Sequence, residues 1–584
     1  MLKLFRFLKK KEWLFIFISL LFILAQVWLD LKLPDFMSQI TTLVETEGSA
    51  MADIWRTGGL MLLCSFGSLI SSVSVCYFAS VVSAGFSKRL RGAMYEKVES
   101  FSLEEIGRFS TASLITRSTN DVSQVQMFIV LSLQVVVKAP LMAAWAITKI
   151  AGKAWQWTLA TGITVAVLIL LLSIVMVLTF PKFRRIQWLQ DGLNHAAREN
   201  LTGIRVVRAY NAEKYQQDKF SKTNTELLKN QLFANGVMTV VSPFMTFAMN
   251  GLSMSIYWIG AILINSVAMN NYAMRVDIFA DMVVFMSYAM QVIMSFMMIV
   301  VVFVIAPRAF VAAGRVNEVL ETKPTIVDGK GVASDGRSGE IEFRNVSFTY
   351  PGGSGSALTD ISFSVKQGET VAFIGSTGSG KTTLINLIPR LYDATEGEVL
   401  VDGVNVRDYK LDELYAKIGY VSQSAVMFSG SIADNVAYGA SADASRMDEA
   451  LSSAQISDFI DTLDEKTDSH VAQGGTNFSG GQKQRMSIAR ALCRKAEILI
   501  FDDSFSALDF KTDRALRDAL KEQTADVTKL IVAQRIGTIM AADKIIVLRD
   551  GRQVGMGTHA ELLKNCEEYR EIALSQLSEE ELAI

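Results

Sequence analysis

The run Gly375-Ser376-Thr377-Gly378-Ser379-Gly380-Lys381-Thr382-Thr383 concentrates the residue types needed to hold a polyphosphate. Its glycines let backbone N–H groups curl around anionic oxygens, and a helix beginning behind them adds positive potential. Lys381 offers a point charge for β- and γ-phosphates, and the Thr382 hydroxyl suits a Mg²⁺ ion. The flanks fit this use. Glu369-Thr370-Val371-Ala372-Phe373-Ile374 reads as a buried strand, and Thr383-Leu384-Ile385-Asn386-Leu387-Ile388 has the apolar spacing of a helix. A phosphate loop requires that context, so the run is read as a nucleoside triphosphate site.

Two further stretches carry related chemistry. Ile498-Leu499-Ile500-Phe501-Asp502 is an apolar strand ending in a carboxylate, which fits a group on the Mg²⁺ side of such a site. Asn477-Phe478-Ser479-Gly480-Gly481-Gln482 puts Ser-Gly-Gly at the start of a helix, where a hydroxyl, free N–H groups and the positive helix end form a second anion site. Two phosphate-binding loops for one nucleotide imply that the second serves another molecule's nucleotide. Tyr350, at the end of a strand in Phe348-Thr349-Tyr350-Pro351, could stack on an adenine ring.

The elements that position these residues lie after Arg308, where composition changes. From Ile341 short strands alternate with helices around the phosphate loop, the pattern of an α/β domain. The expected division is a membrane domain over 1–325, a glycine-spaced linker over 326–340 and the α/β nucleotide-binding domain over 341–584. The whole chain, 584 residues, is too long for one core. Half of it is hydrophobic and the mean hydropathy is +0.29, with nearly all long apolar runs before Pro307. A net charge of −2 gives no basic footprint, so no nucleic-acid partner is expected. Cys64, Cys76, Cys493 and Cys566 are scattered without zinc-site or disulfide spacing.

Six stretches are apolar enough to span about 30 Å of hydrocarbon. They are residues 13–33, 60–83, 127–150, 157–180, 237–264 and 278–305. Together they predict an all-α six-helix membrane domain in a lipid bilayer. Lys3, Arg6, Lys9, Lys10 and Lys11 precede the first, and no small-residue cleavage site follows, so the segment reads as retained and cytoplasmic. The first outer connection is acidic, with Asp35, Glu45, Glu47 and Asp53, whereas 85–125 and 181–235 are rich in Lys and Arg. The balance places both termini inside, although Lys149 and Lys153 run against it. Ile204, Val206, Val207 and Tyr210, at the tip of the second cytoplasmic connection, would be exposed unless another domain covers them. In span six, Met282, Met286, Met290, Met294 and Met298 form one helix ridge, either ordinary packing or an adaptable ligand surface. Lys138, near the middle of span three, should face protein or a wet cavity and reads as functional.

The chain resembles the ATP-binding cassette (ABC) exporters of the multidrug-resistance type, in the half-transporter form with six spans followed by one cassette. The resemblance rests on 375–383, on Gln423 after Val421-Ser422, on the signature 479–482 and on the strand 498–502. Ser506-Ala507-Leu508-Asp509 and Gly557-Thr558-His559 add to it. It implies ATP and Mg²⁺ as cofactors, with Thr382, Gln423 and Asp502 around the metal. It also implies coupling helices at 112–121 and 200–212, and a cassette dimer whose ATPs lie between one phosphate loop and the opposite signature.

Three residues depart from the family pattern. Asp503 stands where the family usually has the Glu that polarises attacking water, Gln534 where it usually has a His, and Gln473 where an acidic residue is common. His195, His470 and His559 are the only histidines, and none is in register to substitute. Asp is shorter than Glu by one methylene, roughly 1.5 Å. A misplacement of about 1 Å can cost on the order of 10²-fold in rate. Gln534 donates a hydrogen bond but cannot become cationic. Binding is therefore expected to survive while hydrolysis slows. The expected function is one subunit of a heterodimeric, ATP-driven exporter of hydrophobic or amphipathic compounds, with a non-identical half-transporter as partner. A homodimer with two weak sites and an ATP-sensing membrane regulator are the alternatives. The compact length and absence of a eukaryotic-style leader point to a bacterial plasma membrane.

Overall fold

The computed structural model describes residues 2–46, 49–151, 153–268, 271–332, 336–439 and 444–577, so Glu47 of the acidic connection lies outside the described residues. The chain forms two compact units, Met1–Glu96 with Leu114–Glu321, and Lys97–Ser113 with Thr322–Ile584.

Six helices of the first unit are long and apolar enough to cross a membrane. They are Lys10–Glu45, Met51–Glu99, Thr111–Ala151, Trp155–Thr202, Glu213–Ser266 and Tyr272–Glu321. All exceed the roughly 20 residues that hydrocarbon requires, so their ends project beyond it. Leu62, Phe66 and Leu170 are exposed, as suits surfaces solvated by lipid. Buried packing centres on Ile23, Val27, Trp157 and Phe285. Trp157 Nε1 donates to the Ile256 carbonyl at 3.2 Å, and its ring lies 5.5 Å from that of Phe285. A Cβ at Gly260 would run into the Met282 sulfur, so glycine there makes room for the thioether.

The lysines that contradict the charge distribution are paired with acids. Lys149 Nζ lies 2.9 Å from Asp35, which also accepts the Tyr288 hydroxyl at 2.6 Å, and Lys153 pairs with Asp281. Neutralised in this way, they weigh less as topology signals than free lysines would.

The expected short helices are found with one difference. Ile204–Ala209 forms a separate turn between Thr202 and Glu213; Val206 and Tyr210 are exposed there and Val207 is buried. Residues 112–121, by contrast, form no separate turn, because Thr111–Ala151 continues as the third spanning helix. The separate short helix is Leu103–Phe109. A reciprocal cap between Ser102 and Glu105 starts it, and Ser110 at φ +60° ends it.

In the second unit the strands Arg552–Gly557, Lys544–Arg549, Thr370–Ile374, Thr528–Val532, Ile498–Asp502 and Ile418–Val421 form one sheet in that spatial order. It is parallel except for the terminal antiparallel hairpin strand. A second, antiparallel sheet orders Leu358–Val365, Ile341–Phe348, Glu396–Val401 and Val404–Asn405. The described linker residues Gly329 and Gly331 are tied to the cassette. Gly329 N donates to Tyr409 O and Gly331 N to Asp408 O, each at 2.8 Å, and a Cβ at Gly329 would strike the backbone at 407–408. Gly329 thus serves close approach of two backbones, and Gly331 a left-handed turn at φ +72°, rather than flexibility.

Candidate nucleotide site

Strand order brings the chemistry together. Thr528–Val532 lies between Thr370–Ile374 and Ile498–Asp502, with Val532 opposite Phe373 on one side and Asp502 on the other. The residues following these three parallel strands therefore share one carboxyl edge, where open α/β sheets bind ligands. They are the phosphate loop, Asp503 and Gln534. The Asp503 N–H donates to Val532 O at 2.9 Å, which fixes this juxtaposition.

The phosphate loop enters its helix through Gly380 at φ +97°, where a Cβ would lie 2.7 Å from Leu358 Cδ2 and 2.9 Å from Ala357 O. Both the backbone conformation and the space demand glycine. Gly375 packs so closely that a Cβ would collide with the Leu548 carbonyl. Lys381 Nζ donates to the carbonyls of Gly375 and Ser376 at 2.8 Å each and lies 3.3 Å from Ser379 Oγ. Burial holds this ammonium below the ordinary lysine range, against the pull of Asp503 and Asp502. Ser376, Thr377 and Gly378 are exposed at the loop crest.

Thr382 Oγ1 donates to Asp502 Oδ1 at 2.9 Å. Burial first, then repulsion from Asp503, pushes the Asp502 carboxyl up; Thr382 and Lys381 oppose this. Two buried carboxylates beside one lysine and a hydroxyl suit a divalent cation, so the residues fit Mg²⁺. Among the described residues no cluster of three His, Cys, Asp or Glu side chains could hold a metal alone. Such an ion would share its coordination with phosphate oxygens. When bound, the ion would neutralise charge on those oxygens.

Asp503 has φ +48°, a conformation that Asp tolerates better than most side chains. Its Oδ2 accepts Gln534 Nε2 at 2.9 Å and Gln423 Nε2 at 3.4 Å. Burial raises its pKa, opposed by hydrogen bonds from Gln423, Ser506 and Gln534 and by Lys381. With its amide N–H turned to Asp503, Gln423 keeps its carbonyl oxygen for a metal or water.

Tyr350 sits beside the loop, its hydroxyl 2.9 Å from Thr383 Oγ1. Phe348 and Tyr392 hold its ring edge-on, at centroid distances of 4.8 and 5.4 Å. Sequence reasoning missed Tyr392, which lies outside every motif. The signature is a separate, exposed feature of the same unit. Ser479 caps the helix Gly480–Cys493 in a reciprocal box: its hydroxyl accepts Gln482 N at 3.3 Å, and Gln482 Oε1 accepts Ser479 N at 2.8 Å. A Cβ at Gly480 would meet nothing within 4 Å, and one at Gly481 would lie 3.4 Å from Ala507 O. The signature thus presents an open glycine at a helix start.

Comparison with known proteins agrees with this geometry. Residues 358–506 match the ABC transporter family, and residues 16–296 match the ABC transporter transmembrane region. An uncharacterized ABC transporter ATP-binding protein of Mycobacterium tuberculosis is 38% identical over 550 residues, 93% of each chain. The ATP-dependent lipid A-core flippase of Pseudomonas fluorescens is 36% identical over 495 residues, 83% of this chain and 80% of that protein. A bacterial Atm1-family ABC exporter solved with ATP bound has the same fold, with TM-score 0.80, 22% identity and coverage of 96% and 98%. The chain belongs to the ABC transporters. It is an ATP-driven exporter half-transporter, a multi-pass membrane protein with one transmembrane region and one ATP-binding cassette.

Proposed function

We propose that this half-transporter works with a non-identical partner half-transporter, holding ATP and Mg²⁺ in a hydrolysis-impaired site and lending its signature to the partner's site. The observation that carries the reading is the Gln534–Asp503 hydrogen bond. The residue that would polarise water is short by a methylene and is engaged by a side chain that cannot carry positive charge. Lys381 bonded to the loop carbonyls and Thr382 bonded to Asp502 support retained holding of the nucleotide. Gly375 to Thr383, with Tyr350, would bind this chain's ATP, and Ser479 to Gln482 would contact the partner's. The transported compound is amphipathic or hydrophobic. A relative named as a lipid A-core flippase and a methionine-lined cavity in the membrane unit support that class. The setting is a bacterial plasma membrane with both termini cytoplasmic. Steady-state ATPase of this chain alone and co-expressed with each half-transporter of its source tests the reading. Full activity from the chain alone would defeat it.

A further inference from the structure

Tyr350, the residue that would carry the base, owes its place to a residue outside every motif. It lies two positions past the strand Ile341–Phe348 and is 38% exposed, so chain position alone would leave its side chain free to turn. Three contacts remove that freedom. Its hydroxyl lies 2.9 Å from Thr383 Oγ1 in the first turn of the phosphate helix, Phe348 meets its ring at 80°, and Tyr392 meets it at 85°. Phe348 and Thr383 are fixed by a strand and a helix, whereas Tyr392 is in a turn that needs anchors of its own. It has them. Thr395 N donates to Ser347 O at 2.9 Å and Thr349 N to Thr395 Oγ1 at 3.0 Å, which binds this turn to the segment just before Tyr350. The buried Arg390 pairs with Asp393 at 2.9 Å, closing the turn around Tyr392. Phe348 and Tyr392 also border a cavity of about 170 Å³, shared with Glu104, Thr325 and Thr349. Tyr392 thus touches both Tyr350 and this cavity. Removing its ring would join the vacated volume to the cavity and leave Tyr350 room to fall back from the base.

We propose that Tyr392 is a positioning residue of this ATP site, whose ring holds Tyr350 as a preformed stacking platform for the adenine base. The gain is entropic. A platform already ordered loses little freedom when the base arrives, so more of the stacking free energy appears as affinity. The ring of Tyr392 packs on Phe348 and Tyr350, while Lys381 and Thr382 of the phosphate loop are anchored separately. Loss of Tyr392 therefore weakens recognition of the base and spares that of the phosphates. The contact is made by the ring, so phenylalanine serves as well. The proposal deepens the reading above and takes from it only ATP as the ligand; neither the partner nor slow hydrolysis enters.

The test measures equilibrium binding of ATP and of inorganic tripolyphosphate, each with Mg²⁺, to the full chain in lipid nanodiscs. Tyr392→Ala should weaken ATP about fivefold and leave tripolyphosphate within about twofold. Tyr392→Phe should restore the wild-type ATP affinity. Tyr350→Ala should weaken ATP about tenfold, and adding Tyr392→Ala to it should cost nothing further, because the residue through which Tyr392 acts is gone. If Tyr392→Ala does not fold, Tyr392→Leu fills most of the space without a ring and should show the same selective loss of ATP. Equal loss of both ligands, additive losses in the double variant, or failure of phenylalanine to restore ATP overturns the proposal. So would equal binding of ATP and tripolyphosphate by the wild-type chain, since no base would then be recognised. A chain that shows the selective loss yet hydrolyses ATP rapidly on its own keeps the role of Tyr392 and refutes the hydrolysis-impaired reading. A slow chain without the selective loss does the reverse.

Discussion

Gln534 Nε2 donates to Asp503 Oδ2 at 2.9 Å, so the two residues that depart most from the family pattern are hydrogen-bonded to each other. Their proximity follows from topology, since Asp503 follows one and Gln534 lies two residues beyond the other of two adjacent parallel strands whose ends pair at Val532 and Asp502. On the proposed reading, a carboxylate one methylene short and engaged by an uncharged amide orients water poorly.

The chain alone should therefore bind ATP with Mg²⁺ but hydrolyse it slowly, about 10²-fold below the assembled pair. Lys381→Ala should abolish binding, because the loop loses its only ammonium. Equilibrium binding of a fluorescent ATP analogue and steady-state phosphate release measure both. Comparable turnover by the isolated chain would contradict the argument.

The methionine ridge divides by position. Met282 is buried against Gly260, whereas Met290, Met294 and Met298 line the cavity beside Lys138. Met282→Ala should cost about 2 kcal/mol or more through the void it leaves, seen as a lower midpoint of thermal unfolding. Met290→Ala and Met294→Ala should instead change which compounds stimulate the ATPase, with little loss of basal rate.

Glu105 fastens a short helix to the start of the cassette. Its Oε1 accepts the Thr325 N–H at 3.0 Å and the Thr325 hydroxyl at 2.9 Å, while Oε2 accepts Ser102 N at 2.8 Å. Burial pushes this carboxyl up, but the hydrogen bonds from Ser102 and Thr325 outweigh it and hold it below the usual range. A depressed carboxyl stabilises the fold above its unfolded pKa of about 4.3 and loses that contribution as pH falls through the folded value. Glu105→Gln should therefore destabilise by about 1–3 kcal/mol at pH 7, and the gap from wild type should close below about pH 4.3. Thermal unfolding of both proteins across pH checks it; a constant gap would show that Glu105 acts without its charge.

Much of this was legible in the sequence because it is local. Phosphate loop, signature and strand 498–502 are contiguous runs whose spacing carries the chemistry, and six apolar stretches announce six spans. Pairings between distant positions were not legible. Nothing in the sequence linked Lys138 to Asp30, Lys149 to Asp35 or Glu105 to Thr325, since each joins separate elements whose relative register only packing decides. The short helix at Leu103–Phe109 was not legible because its one marker, the Ser102–Glu105 capping pair, is weaker than the apolar periodicity of the neighbouring residues 112–121. Helix-capping signals are short and compete with stronger periodicity nearby.

The sharpest prediction concerns the two anion loops of this one chain. Gly480 is exposed at the start of the signature helix with nothing within 4 Å of a built Cβ, so this subunit tolerates a side chain there. Gly480→Asp should leave folding and ATP binding of its own chain intact. The added carboxylate would stand where a partner's γ-phosphate must approach helix N–H groups, so hydrolysis by the pair and nearly all efflux should stop. Asp503→Ala removes a group engaged by Gln534 in the site proposed to be slow and should leave most steady-state ATPase in place. Asp503→Glu should recover little, since Gln534 still supplies no positive charge. Steady-state ATPase and dye efflux of the assembled pair rank the three variants. If Asp503→Ala proves as damaging as Gly480→Asp, the two sites contribute equally, and the homodimer with two weak sites becomes the better description.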